Sequence, residues 1–288
     1  MKILCKLLCA VSVSLPLLVS GEAIAEPGLR IGIIPSEDSQ SMIESSQQVL
    51  DLLQAQLDMP VTPFVATDYN GVIEALRSKK LDVAYLGPFS YVLANQVANV
   101  EAFAVAVTKK TGESAYRSQV IARADSDINS LADLAGRTFA FVDPGSTSGH
   151  LFPKAGIEQA GYQPDKLFSR VIFSGSHDAS ILAVAHGKVD GAAVADRILA
   201  SAIAQGQVPA QELKVVWSSQ AIPESPMVWR KDLDPELKQK LAAAMAQIKD
   251  VPWGDQGMLD GFQPIDDSAY DVVRDTAQVL NLDLGKMK

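Results

Sequence analysis

The stretch Ile73-Glu-Ala-Leu-Arg-Ser-Lys-Lys-Leu-Asp-Val-Ala84 returns 108 positions further on as Ile181-Leu-Ala-Val-Ala-His-Gly-Lys-Val-Asp-Gly-Ala192. Identical residues stand at Ile73, Ala75, Lys80, Asp82 and Ala84, opposite Ile181, Ala183, Lys188, Asp190 and Ala192. Five identities in twelve are within reach of chance for alanine-rich helices. The same offset, however, also lays residues 30–34 on 138–142 and 61–67 on 169–175 without a gap. Each is a short β-branched run that leads through a polar loop into a helical pattern. What recurs is an ordered series of strand, loop and helix, not a composition.

Around this repeat, strand candidates at 30–34, 61–66, 83–86, 120–122, 138–142, 170–173, 192–194, 214–217 and 227–230 alternate with helical stretches. That alternation predicts an α/β protein with largely parallel strands. The repeat divides it into two lobes, 26–112 with 222–288 in the first and 118–216 in the second. The chain then crosses between lobes at 109–118 and at 218–226, the latter carrying two prolines, and two extended crossings make a hinge. Ligands of open α/β sheets lie at the carboxyl ends of the strands, which places a shared site in the cleft.

The first 25 residues read as a secretory signal: Lys2 and Lys6, an apolar run from Leu7 to Val19, and Ala23-Ile24-Ala25 as a cleavage site. The apolar run is shorter than the roughly 20 residues of a spanning helix. Cys5 and Cys9 both fall inside this leader, so the mature chain lacks cysteine, which excludes disulfides and thiol chemistry. Losing Lys2, Lys6 and Glu22 leaves 23 basic and 33 acidic residues, a net charge of −10, and makes nucleic acid a poor partner.

Asp143-Pro-Gly-Ser-Thr-Ser-Gly-His150 links a strand to a helix. Glycine-rich backbone N–H groups, a helix N-terminus and the hydroxyls of Ser146, Thr147 and Ser148 suit an anion. One such hydroxyl commonly serves only as a cap; three in a row exceed that need. Ser174-Gly-Ser-His-Asp-Ala179 is the second junction of the same kind, and the repeat sets His177 opposite Tyr69 at the matching junction of the first lobe. A lone histidine can equally be a packing residue. At the third pair of junctions, Tyr85 can wall the cleft or lie in the core. Asp196 can cap a helix, pair with Arg197, or accept a hydrogen bond from an acidic P–OH group.

These residues carry a resemblance. Thr67-Asp-Tyr69, Asp82 through Gly87-Pro88, Asp143-Pro-Gly-Ser-Thr-Ser-Gly-His-Leu151 with Pro153, and Gly175-Ser-His-Asp-Ala179 resemble the phosphonate- and phosphite-binding proteins of ABC importers. The resemblance implies a type II periplasmic-binding fold, with Ser146, Thr147, Ser148 and His177 as oxyanion contacts and Asp196 as the acidic contact. Val194-Ala-Asp196 departs from the commoner Val-Asp-Ser arrangement, and Leu86 stands where aminophosphonate binders place a tyrosine. Phosphite, hypophosphite or a small alkylphosphonate is the implied ligand, and a membrane permease the implied partner. We expect a periplasmic monomer without cofactor or metal. A ligand sensor for a membrane signalling protein is the alternative. A phosphoester hydrolase is the weaker one, because Gly145-Ser-Thr-Ser-Gly149 centres Thr147 where a nucleophile elbow needs serine.

Overall fold

A computed structural model describes residues 28–286 apart from 110, 111 and 113. The expected leader and part of the outgoing crossing lie outside the described residues. Thirteen strands are described: β1 (Leu29–Ile33), β2 (Val61–Val65), β3 (Val83–Tyr85), β4 (Val100–Thr108), β5 (Ala115–Tyr116), β6 (Ser118–Arg123) and β7 (Thr138–Phe141). They continue with β8 (Arg170–Phe173), β9 (Gly191–Ala195), β10 (Leu213–Ser218), β11 (Ile222–Pro223), β12 (Pro226–Arg230) and β13 (Leu259–Pro264). They form a six-stranded sheet in the order β13-β4-β12-β3-β1-β2, a five-stranded sheet in the order β10-β6-β9-β7-β8, and the small pair β11-β5.

The 108-residue offset is structural. It carries the helix Tyr69–Arg77 onto the helix His177–Ala185 residue for residue. The N-caps correspond too: the Asp68 carboxylate accepts from Gly71 N at 2.7 Å and the Ser176 hydroxyl from Ala179 N at 3.4 Å. After each helix the chain turns through a left-handed residue, Lys79 at φ 59° and Gly187 at φ 64°. The repeated aspartates then tie each turn to the neighbouring strand. Asp82 donates its N–H to Arg30 O at 3.0 Å and its carboxylate accepts Arg30 N at 3.1 Å. Asp190 does the same with Thr138, at 3.0 and 2.7 Å. A side chain that completes a backbone pairing at the start of a strand explains why this residue recurs in the repeat.

The expectation of largely parallel strands needs correction, because both sheets are mixed. β1 is parallel to β2 and β3, and β7 to β8 and β9. β12 runs antiparallel between β3 and β4, β13 runs antiparallel to β4, and β6 runs antiparallel to β9 and β10. The reason lies in the crossings. A chain arriving from the other lobe enters at the cleft, where the parallel strands end, so its first strand runs the opposite way: Ser118 of β6 pairs with Ala195 at the end of β9. β4 and β13 were not foreseen. The Val100–Thr108 strand is rich in alanine, and Leu259–Pro264 contains glycine and proline, both poor strand signals.

Leu29, Ile31 and Ile33 bury one face of the first sheet against Met42, Val49, Leu53, Leu241 and Met245. A second cluster runs across both lobes, joining Leu76, Phe89 and Val92 to Val142, Leu151, Ile181 and Val194. Val273 and Ala277 of the helix Asp271–Val279 belong to it. That helix packs on Pro88–Val97 of the first lobe and Phe152–Gln159 of the second, so the last stretch of chain touches both lobes. The crossings pair with each other: Ile222 faces Tyr116 and Pro223 faces Ala115 in the β11-β5 ribbon.

Candidate functional site

The loop after β7 is built by its own polar groups. The Asp143 carboxylate accepts from Gly145 N at 2.7 Å, which sets the turn, and Ser146 N donates to Asp143 O at 2.9 Å. Ser146 then caps the next segment, its hydroxyl accepting from Gly149 N at 3.1 Å. Residues Thr147–Leu151 form a wide π turn before the helix Phe152–Gln159. Only glycine fits at 149, since a Cβ there would lie 2.4 Å from the Val142 side chain. Thr147 and Ser148 therefore open a helical segment whose first N–H groups have no partner within it, and whose end carries positive dipole charge.

This end faces the first lobe across a small cavity of about 10 Å³, near the least that one water needs. Ser146, Thr147 and Ser148 line one side, with Tyr69, Gly87 and Ile34 opposite. Hydrogen bonds lock the two sides together. Phe89 N donates to the Thr147 hydroxyl at 2.8 Å, Ser90 Oγ to Gly145 O at 2.9 Å, and His177 N to Ser36 O at 2.8 Å. The helix Pro88–Val97 has no side-chain cap of its own at Gly87, so Thr147 satisfies one of its first N–H groups from the other lobe.

His177 also lines the cavity. Its Nδ1 accepts from Ala195 N at 3.1 Å, so the neutral ring carries its proton on Nε2. Burial, and then the neighbouring Arg197 charge, push its pKa down to about 3. His177 is thus a neutral donor throughout the physiological range.

Two of the sequence-predicted residues sit elsewhere. Asp196 does not line the cavity: it opens the helix Asp196–Ala204, its carboxylate accepts from Arg197 N at 2.8 Å, and it faces a separate groove of about 470 Å³. The shift of one position in Val194-Ala-Asp196 puts Ala195 at the buried end of β9 and sends the carboxylate outward. Tyr85 does not wall the cavity either. Its ring is buried on the far face of the first sheet, edge-on to Trp253 at 5.5 Å, because alternation along β3 turns it away from the cleft. Phe89 and Tyr91 are likewise fully buried in the core.

Residues that sequence reasoning passed over take their place. Arg197, Tyr116 and Ser225 line the cavity. Arg197 pairs with Glu224, its Nε and Nη2 each 3.2 Å from Oε1, and its guanidinium lies 4.6 Å from the centre of the Tyr116 ring. The Tyr116 phenol, raised in pKa by burial, lines the cavity together with Thr147 and Ser148. Glu224 is 1% exposed and is held by Ser225 N at 3.0 Å and Gln256 Nε2 at 2.9 Å. Glu224 lies in the proline-flanked crossing Ile222-Pro-Glu-Ser-Pro226. A carboxylate in so apolar a crossing was the available signal for a buried partner.

Residues 31–270 match the family model described as "ABC transporter, phosphonate, periplasmic substrate-binding protein". The chain is 33% identical over 273 residues to the phosphate-import protein PhnD of Mycolicibacterium smegmatis, covering 87% of this chain and 85% of that protein. It is 35% identical over 220 residues to the phosphonates-binding periplasmic protein of Escherichia coli, covering 75% and 64%. Among solved structures it is similar to a binding protein component of an ABC phosphonate transporter from Pseudomonas aeruginosa. The TM-score is 0.79 at 32% identity, with 87% and 85% of the two chains covered.

Proposed function

This chain belongs to the periplasmic substrate-binding proteins of ABC phosphonate transporters, and we propose that it captures a small phosphorus oxyanion between its lobes and delivers it to a membrane permease. The observation that carries this reading is the small cavity between the lobes, where the Thr147 and Ser148 segment start, a neutral His177 and the Arg197 guanidinium of the second lobe meet Ser36 and Tyr69 of the first and Tyr116 and Ser225 of the crossings. Such donors recognise a tetrahedral oxyanion through charge-assisted hydrogen bonds. The small cavity favours phosphate, phosphite or methylphosphonate over ligands with long substituents. Delivery takes place in the periplasm, after removal of the leader at residues 1–25.

Because every lining residue except Arg197 is buried and hydrogen bonds tie the two sides together, the ligand enters when the lobes part about the β5-β11 ribbon. Calorimetric titration with phosphate, phosphite, methylphosphonate and sulfate, beside small-angle scattering, tests both steps. At least one phosphorus oxyanion should bind in the micromolar range or tighter, on the order of −8 kcal/mol, and saturation should reduce the radius of gyration. Absence of binding by all three phosphorus oxyanions would refute the function. An unchanged radius at saturation would refute the opening.

A further inference from the structure

We propose that Arg197, clamped by Glu224, is the specificity-determining residue of this cavity, and that it selects a doubly charged phosphoryl dianion over a singly charged oxyanion. The inference rests on the proposed function and narrows it. Its basis is what the described residues bring to the cavity wall: one permanent positive charge, neutral donors, and no carboxylate. Asp196, the residue that would have required a protonated ligand, faces the outer groove.

The guanidinium is held in position. Glu224 Oε1 takes Nε and Nη2, Ser225 Oγ lies 3.4 Å from Nη2, and the Tyr116 ring covers one face. Glu224 is fixed in turn by Gln256, which also donates to the Tyr85 hydroxyl at 2.7 Å, and its carbonyl oxygen accepts from the Tyr270 hydroxyl at 3.0 Å. Glu224 offsets part of the Arg197 charge but does not line the cavity, so the ligand meets the guanidinium first, and a charge fixed before the ligand arrives loses little freedom on binding and favours two negative charges over one. The charged and titratable groups that face Arg197 are Glu224, His177, Tyr116 and its neighbour Asp196. His177 is neutral, and the tyrosines titrate far above neutrality. Neither His177 nor the tyrosines then change charge in the neutral range, where a phosphoryl ligand takes its second charge. Arg197 and Tyr116 also line both the cavity and the outer groove, so the same pair forms the partition that keeps a substituent from extending outward.

Calorimetry on the full mature chain with inorganic phosphate and hypophosphite, between about pH 5 and pH 8, tests this. A phosphate group takes its second charge as pH rises through a pKa near ~6–7, whereas hypophosphite has one ionisable proton and stays singly charged. Phosphate affinity should rise at least about tenfold across that range, and hypophosphite should bind at least about tenfold more weakly at the upper end with a flat profile. Removing the pair together, Arg197→Met with Glu224→Gln, avoids leaving a buried carboxylate unpaired. That variant should lose about tenfold or more for phosphate and lose the rise with pH, and the tenfold preference for phosphate over hypophosphite at the upper end should vanish. Should it fail to fold by circular dichroism, Arg197→Lys retains the charge and should retain the rise. Hypophosphite binding as tightly as phosphate, or phosphate affinity falling as pH rises, overturns the inference and leaves the proposed function standing. Binding of neither ligand, nor of phosphite or methylphosphonate, overturns the function itself.

Discussion

Acidification from pH 7.5 to about pH 5 should destabilise this protein by on the order of 2 kcal/mol for each of two buried histidines, or about 4 kcal/mol together. His150 is held neutral at a pKa of about 4, first by burial, packed edge-on between Phe141 and Phe173 with its Nδ1 2.9 Å from Pro144 O. His177 lies at about 3, again chiefly through burial. In the unfolded chain both return to the ordinary 6.5. Between that value and the folded ones, the unfolded state takes up protons that the folded state refuses. Stability is therefore complete above pH 6.5 and drains away as pH falls toward 4 and then 3. Carboxylates do not produce this slope. Thr138 holds Asp190 below its usual range, and at Asp82 the Arg30 and Arg230 bonds outweigh the opposing effect of burial, so both titrate at lower pH. Asp143, raised by burial, works weakly in the opposite direction. Urea midpoints at half-unit steps from pH 7.5 to 4.5 measure the slope. His150→Gln combined with His177→Gln should flatten it, and a wild-type midpoint that stays constant down to pH 5 would rule out neutral burial of the two rings.

How far the sequence anticipated this structure follows from the kind of signal each part leaves. The repeat was readable because its helices, caps and turn aspartates are local features at constant spacing, so Asp82 and Asp190 mark equivalent places in the two sheets. The juxtaposition of Ser146, Thr147 and Ser148 along one side of the cavity was readable because the three are consecutive. Strand direction was not, since it depends on which end of a sheet a crossing enters, and that is decided by contacts between residues far apart in sequence such as Ser118 and Ala195. The far side of the cavity escaped for the same reason. Arg197, Tyr116 and Ser225 come from a helix start and two separate crossings, with no shared motif. Asp196 illustrates the sharpest limit: β9 is buried along its whole length and the next helix begins at Asp196, so Ala195 is interior while the residue after it is turned to the groove.

Replacing Thr147 by Val should weaken oxyanion binding by roughly 10- to 100-fold, about 1.5–3 kcal/mol, while leaving the thermal midpoint of the ligand-free protein nearly unchanged. The hydroxyl has two roles that valine cannot fill. It accepts the Phe89 N–H at 2.8 Å, closing the first lobe onto the second, and that bond leaves its own hydrogen to turn toward the cavity and an anion. Valine has almost the same shape, so packing at this buried position is preserved and the change falls on hydrogen bonding alone. In the closed form the Phe89 N–H would be stranded without an acceptor, a penalty of about 1–3 kcal/mol, whereas in an open form water would satisfy it. The loss should therefore appear as weaker binding and a smaller closed population, not as unfolding. Thr147→Ser keeps the acceptor and the donor and should recover most of the affinity. Calorimetry with phosphate on the wild type and both variants, with thermal melts of each, separates the possibilities. If Thr147→Val binds like the wild type, the hydroxyl contributes nothing to the ligand and the cradle consists of backbone N–H groups alone. If Thr147→Ser is as weak as Thr147→Val, the methyl group rather than the hydroxyl matters, and the bond to Phe89 is incidental to closure.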